Sequence, residues 1–243
     1  MSGGGHDGQD RVEGLDGDRL GGPDGLEGPD RLDGLDGLIA QLITLGSKAV
    51  TGGLVIGSGG NLSARLPGAD HFVVTASGTW LDELEPGDFS VVGVDGTWRG
   101  GHAQPSSETP LHLHSYRARP DVNAVVHLHP QLSVLLDALG HPVRLITIDH
   151  AYYVRRIATV PYLPAGTTEL AEAGAAALAE ADVVILGHHG CSVVADTVEL
   201  AHKRAVNLEE AALATYRALT LGDTTTVCPP AYLERVERLE AAP

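Results

Sequence analysis

The side chains best suited to chemistry lie in three short stretches. In Val125-Val126-His127-Leu128-His129-Pro130, an apolar, β-branched run stops at proline, the pattern of a short buried strand. Alternate residues of a strand face the same way, so His127 and His129 project side by side and can reach one metal ion. His189 sits in a glycine-bracketed turn, Gly187-His188-His189-Gly190, after a second apolar run from Val183 to Leu186. Three imidazoles suit a borderline metal such as zinc, and a three-histidine set leaves coordination positions open, as catalytic sites do. Glu108 follows Pro105-Ser106-Ser107 just ahead of a helical stretch and offers a carboxylate for proton transfer. The other His-x-His, His112 and His114, falls within that helix, where side chains two apart diverge.

Three small polar turns, at Gly60-Asn61, Ser77-Gly78 and Ser106-Ser107, together supply N–H and hydroxyl donors for a phosphate dianion. Cys191 has no base partner by spacing and reads as a small buried hydrophobe. His202, Lys203 and Arg204 share a long helix and read as a solvated or interface face.

The elements that must position these groups follow from periodicity. A helix is expected from Leu38 to Val50, stopped by Gly52-Gly53. Strands follow after the Gly59-Gly60 turn, at Phe72–Thr75, and at Phe89–Val94 and Thr97–Arg99 around the hairpin signal Asp95-Gly96. Helices are expected at Thr109–Ala118 and from Pro130 to about Leu139, then a strand at Val143–Ile148. Thr168–Glu180, Thr197–Leu219 and Ala231–Leu239 read as helices, with strands at Val183–Leu186 and Ser192–Val194. This is one α/β domain, residues 38–243, with a central, largely antiparallel sheet flanked by helices.

Charge and composition exclude several classes of function. Net charge is −16, and residues 1–38 alone hold ten acids against three arginines. With no basic stripe, nucleic acid is not an expected partner. No apolar run approaches the roughly 18 residues of a membrane span, and no signal peptide opens the chain. Two cysteines make no disulfide framework. A cytoplasmic location is therefore expected. Residues 1–37, low in complexity and rich in Gly and Asp, are expected to be a disordered acidic tail.

In chain order the motifs are Gly-Asn-Leu-Ser-Ala-Arg (60–65), Thr-Ala-Ser-Gly-Thr (75–79), Pro-Ser-Ser-Glu (105–108), Arg-Pro-Asp-Val-Asn-Ala-Val-Val-His-Leu-His (119–129) and His-His-Gly (188–190). Together they resemble the class II aldolase/adducin family, over residues 38–222, and the 19-residue step from Glu108 to His127 fits its fuculose-phosphate aldolase branch. The resemblance implies that His127, His129 and His189 hold one Zn2+ (or another divalent metal) per subunit. It implies that Glu108 is the catalytic acid/base, and that Asn61, Ser77, Gly78, Ser106 and Ser107 bind the substrate phosphate. It further implies a homotetramer with interface active sites, acting on a small phosphorylated sugar.

The implied reaction is cleavage of a ketose 1-phosphate to dihydroxyacetone phosphate and an aldehyde, a lyase activity. Where the fuculose-phosphate enzymes carry a tyrosine for the aldehyde-side oxygen, this sequence has Thr147, with Tyr152, Tyr153 and His150 as possible substitutes. A decarboxylase of a 3-oxo sugar-acid phosphate or a pentulose-phosphate 4-epimerase fits the same positions. A non-enzymatic adducin-like scaffold is the reading from a different class, and the presence of all four metal-site residues argues against it.

Overall fold

The computed structural model describes residues 34–56 and 58–240. Most of the expected acidic tail lies outside them. Its last residues do not: helix α1 spans Leu35–Thr51, so it starts ahead of the expected Leu38. Leu35, Leu42, Leu45 and Ala49 recur on one stripe and are buried, which gives the helix its reason to begin early.

Eight strands among the described residues form one sheet. They are β1 (Asn61–Ala64), β2 (His71–Thr75), β3 (Phe89–Gly93), β4 (Trp98–Gly101), β5 (Ala124–Leu128), β6 (Ile157–Val160), β7 (Val183–Leu186) and β8 (Gly190–Ala195). Their order is β4-β3-β2-β1-β5-β8-β7-β6, and every pairing is antiparallel except β6 with β7. The helices after α1 are α2 (Thr109–Ala118), α3 (Gln131–Ala138), α4 (Ile148–Val154), α5 (Thr168–Ala177), α6 (Val198–Thr220) and α7 (Pro230–Glu240). The α/β architecture with a largely antiparallel sheet is therefore present. No described helix is long and apolar enough to cross a membrane.

The sheet buries both faces. Leu62 and Ala64 of β1, Val126 and Leu128 of β5, and Cys191 and Val193 of β8 pack with α1 and α6 on one side. Val125 and Val194 point the other way, into a second core with Leu111 and Tyr116 of α2 and Leu170 of α5. The period of two then assigns Asn61, Ser63, His127 and Ser192 to that second face. Chemistry-bearing residues thus gather on one face of the three central strands.

Arg65, just past β1, is 6% exposed. Its guanidinium donates to the carbonyls of Arg119, Pro120 and Val122 and lies 4.6 Å from the centre of the Tyr116 ring. It ties β1 to the turn between α2 and β5. Arg65→Met would take the side-chain donor from the Pro120 and Val122 carbonyls, leave the Arg119 carbonyl only the Val122 amide, and loosen that turn. We expect a loss of about 2–4 kcal/mol in urea unfolding.

Two local expectations are corrected. Val143–Ile148 is not a strand: the Arg144 amide donates to Thr215 Oγ1, and the Leu145 carbonyl accepts from the Cys228 amide. Its β-branched residues line a strap between α6 and the C-terminal segment instead of adding to the sheet. Ile148 opens α4, capped by Thr147, whose Oγ1 accepts from the His150 amide while His150 Nδ1 accepts from the Thr147 amide. Arg204 is not on a solvated face: it is 5% exposed and pairs with Asp182 while donating to the carbonyls of Tyr153 and Val194.

Candidate active site

The end of β5 and the β7–β8 turn bring the three histidines together. Ligand-type atoms of Glu108, His127, His129 and His189 all lie within 4.8 Å of one another. His127 Nε2 is 3.0 Å from His129 Nε2 and 3.1 Å from Glu108 Oε2, and His189 Nε2 is 3.3 Å from Glu108 Oε1. Those four side chains are the ones the sequence brought forward. His188 is not among them: it is exposed, at φ 58°, with its ring edge-on to Tyr162.

Local backbone makes room for the cluster. Gly190 opens β8 where a Cβ would lie 2.5 Å from the Leu128 carbonyl oxygen and 2.7 Å from a carbon of the His129 ring. Only glycine lets β8 come this close to the end of β5. Gly190→Ala is expected to lower stability by about 1–3 kcal/mol, because backbone must move, and to weaken metal binding as the His129 ring is displaced. Thermal unfolding and metal titration would report both.

Hydrogen bonds decide which ring atoms face inward. His127 Nδ1 lies 2.9 Å from the Cys191 carbonyl oxygen, which can only accept. The proton therefore sits on Nδ1, and Nε2 turns a lone pair into the cluster. Burial lowers the pKa of His129 to about 4, helped by repulsion from His127 and His189. Burial, then His127, lowers that of His189 also. His129 Nε2 lies 3.0 Å from His127 Nε2, so the contact is made either by a proton on His129 Nε2 or by a cation between the two nitrogens.

Glu108 is buried, and burial alone would raise its pKa. The hydrogen bond donated by the Asn61 amide, and any positive charge placed at the histidine cluster, act against that and hold the carboxyl below the usual range. Its Oε1 has no hydrogen-bond partner among the described residues, nor has Nδ1 of His189. A tetrahedral ion with ligands at about 2.0–2.1 Å sets neighbouring donor atoms about 3.3 Å apart, close to the spacings found here. The residues present fit a divalent metal.

Asn61 belongs to the same cluster. Its Nδ2 donates to Glu108 Oε2 (2.9 Å), and its Oδ1 lies 2.5 Å from His112 Nε2. The other turn residues form a neighbouring group. An isolated bridge joins Ala76 to Pro105, the Ser77 amide donates to the Gln104 carbonyl, and the Ser106 amide donates to the Thr75 carbonyl. These bonds set Ser77-Gly78 beside Ser106-Ser107, with Ser77, Gly78 and Ser107 exposed and Ser106 buried with its Oγ accepting from the Glu108 amide. Sequence reasoning missed Ser63 and Tyr116, which hydrogen-bond behind the cluster. The signal for Ser63 was available, since it shares a face with Asn61 by the period of two. Cys191 is fully buried, and burial pushes its thiol up to about 12, so it is no nucleophile.

Fold and cluster together define an α/β enzyme with a candidate divalent-metal centre. The chain belongs to the family described as class II aldolase and adducin N-terminal domain, whose model matches residues 40–216. It is an enzyme of that family, a lyase, and class II aldolases use a divalent metal. It is 34% identical to a 5-methylthioribulose-1-phosphate/5-deoxyribulose-1-phosphate aldolase of Rhodospirillum rubrum, over 80% of this chain and 87% of that one. It is 33% identical to a 3-oxo-tetronate 4-phosphate decarboxylase of Escherichia coli, over 71% and 82%. A solved L-fuculose 1-phosphate aldolase superposes with a TM-score of 0.77 at 27% identity, over 85% of this chain and 97% of that one.

Proposed function

We propose that this protein is a zinc-dependent aldolase that cleaves a ketose 1-phosphate to dihydroxyacetone phosphate and an aldehyde. The observation that carries the reading is the convergence of three imidazoles and one buried carboxylate in a 4.8 Å cluster. His127, His129 and His189 would hold the metal. When bound, it supplies a Lewis acid that polarises the substrate's carbonyl and hydroxyl oxygens.

The rest falls to the chain's own residues. Cleaving C3–C4 turns the C4 hydroxyl into the aldehyde carbonyl with loss of its proton and leaves the enediolate of dihydroxyacetone phosphate, which needs one proton at C3. Glu108, ionised at rest, would take up a proton released in the cleavage and return one to C3, its carboxyl aimed by the Asn61 amide. The phosphate would lie at the turns of Ser77-Gly78 and Ser106-Ser107, with the second N–H of Asn61 nearby. The pocket offers neutral hydroxyls and backbone amides, so the anion is held by oriented dipoles and by the metal's charge. We extend the reading to a cytoplasmic homotetramer with active sites at subunit interfaces and no nucleic-acid or membrane partner.

One observation favours a second reading. Thr147 stands where an aldolase would place its aldehyde-side tyrosine, and its hydroxyl is engaged in capping α4. His150 is the other half of that cap, while Tyr152 and Tyr153 stack edge-on at 5.1 Å on α4. Decarboxylation of a 3-oxo-tetronate 4-phosphate yields the same enediolate and needs no such group. A coupled assay for dihydroxyacetone phosphate would separate the two. Release from 5-deoxyribulose or fuculose 1-phosphate without carbon dioxide supports the aldolase; release only from the 3-oxo acid phosphate, with stoichiometric carbon dioxide, supports the decarboxylase.

A further inference from the structure

Behind Glu108 runs a buried chain of hydrogen bonds that the proposed chemistry leaves unused. It links Tyr116 Oη to Ser63 Oγ (2.8 Å), Ser63 Oγ to His112 Nδ1 (2.6 Å), His112 Nε2 to Asn61 Oδ1 (2.5 Å), and Asn61 Nδ2 to Glu108 Oε2 (2.9 Å). Ser63, His112 and Tyr116 are at most 2% exposed, and Asn61 is 5% exposed. No water competes along most of its length.

The direction of every bond follows from the carboxylate. An ionised Glu108 can only accept, so Asn61 turns Nδ2 toward it and Oδ1 toward His112. That oxygen also only accepts, so His112 is the Nε2–H tautomer and its Nδ1 carries no proton. The Ser63 O–H therefore donates to Nδ1, and Ser63 Oγ accepts from the Tyr116 O–H. The reversed amide would set an oxygen against the carboxylate and an N–H against the His112 N–H. Burial, followed by repulsion from His127, lowers the pKa of His112 to about 3, consistent with a ring that stays neutral throughout.

We infer that His112 is a positioning residue, and that the Tyr116–Ser63–His112 relay fixes the Asn61 amide so that Glu108 is presented in one orientation beside the three histidines. The relay transmits direction and moves no proton. It joins β1, which carries Asn61, to α2, whose N-cap residue is Glu108. The inference rests on the role proposed for Glu108, but the alignment itself can be measured without turnover.

Neutron diffraction from the deuterated wild-type protein is the direct test. Deuterium on His112 Nε2 and not Nδ1, with the Asn61 nitrogen facing Glu108, is expected. Deuterium on Nδ1, or the Asn61 oxygen facing Glu108, overturns the inference even if the aldolase reading stands. Loss of the aldolase reading, in turn, leaves this result unaffected. For turnover, His112→Leu is expected to lower kcat by about tenfold or more, with KM and metal content close to wild type, while His112→Gln recovers to within about threefold. The glutamine amide offers an N–H and a carbonyl where the ring offers Nε2 and Nδ1. Equal loss in both variants, or loss in neither, contradicts a positioning role. Should His112→Leu fail to fold, Ser63→Ala removes the donor to Nδ1 and is expected to give the same fall in kcat at unchanged KM; an unchanged kcat overturns the relay.

Discussion

Glu108→Gln is expected to lower kcat by about 10²–10⁴-fold while the protein still binds metal and folds normally. That range is what a positioned proton carrier typically contributes. Gln keeps the size of the side chain and can still accept from Asn61 Nδ2, so the packing around residue 108 is retained. What it loses is the carboxylate proposed to carry the proton to C3. KM should change little, because the donors proposed for the phosphate, at Ser77 and Ser106, are untouched. Steady-state kinetics on whichever phosphorylated substrate is turned over would measure the split. A proportional rise in KM with unchanged kcat would assign Glu108 to binding instead.

His127→Ala is expected to abolish metal binding and, with it, activity. His127 is fully buried, and its Nε2 lies within 3.1 Å of both His129 and Glu108. Removing it takes out the central member of the cluster and leaves Glu108 without its nearest partner. The loss of Lewis-acid assistance is worth several kcal/mol, about 10³-fold or more in kcat/KM. Metal analysis after dialysis should show wild-type protein retaining the ion and the variant losing it. A chelator should reproduce the effect in the wild type and lower its Tm, since an ion bound only to the folded chain stabilises it by about 4 kcal/mol at a thousandfold excess over Kd. Activity that survives both treatments would remove the metal from the account.

Much of this site was legible because strand periodicity is strict. His127 and His129 had to share a face, and the antiparallel register Asn61↔His127 places Asn61 beside them. Helices with clear caps were also legible: Thr197 at the start of α6 accepts from the Leu200 amide, as its position before an apolar-periodic run implies. What failed were segments whose fate is decided by distant partners. Val143 to Ile148 has the residues of a strand, but α6 and the segment at Cys228 take its backbone groups. β6, four residues long, lies at the sheet edge and was overlooked among short apolar runs. Arg204 looked solvated beside Lys203, yet the helical rotation turns it toward Asp182, 22 residues earlier in the chain. The Ser63–His112 bond spans 49 residues of sequence, beyond any local pattern.

The most direct test of the central claim needs no knowledge of the sugar. Dihydroxyacetone phosphate alone, incubated in D2O with the zinc-loaded protein, should exchange one of its two C3 hydrogens for deuterium, visible by proton NMR. Exchange that is confined to one hydrogen, and is lost in Glu108→Gln and on chelation, is the result this account predicts. No exchange by a protein that demonstrably holds its metal would contradict it.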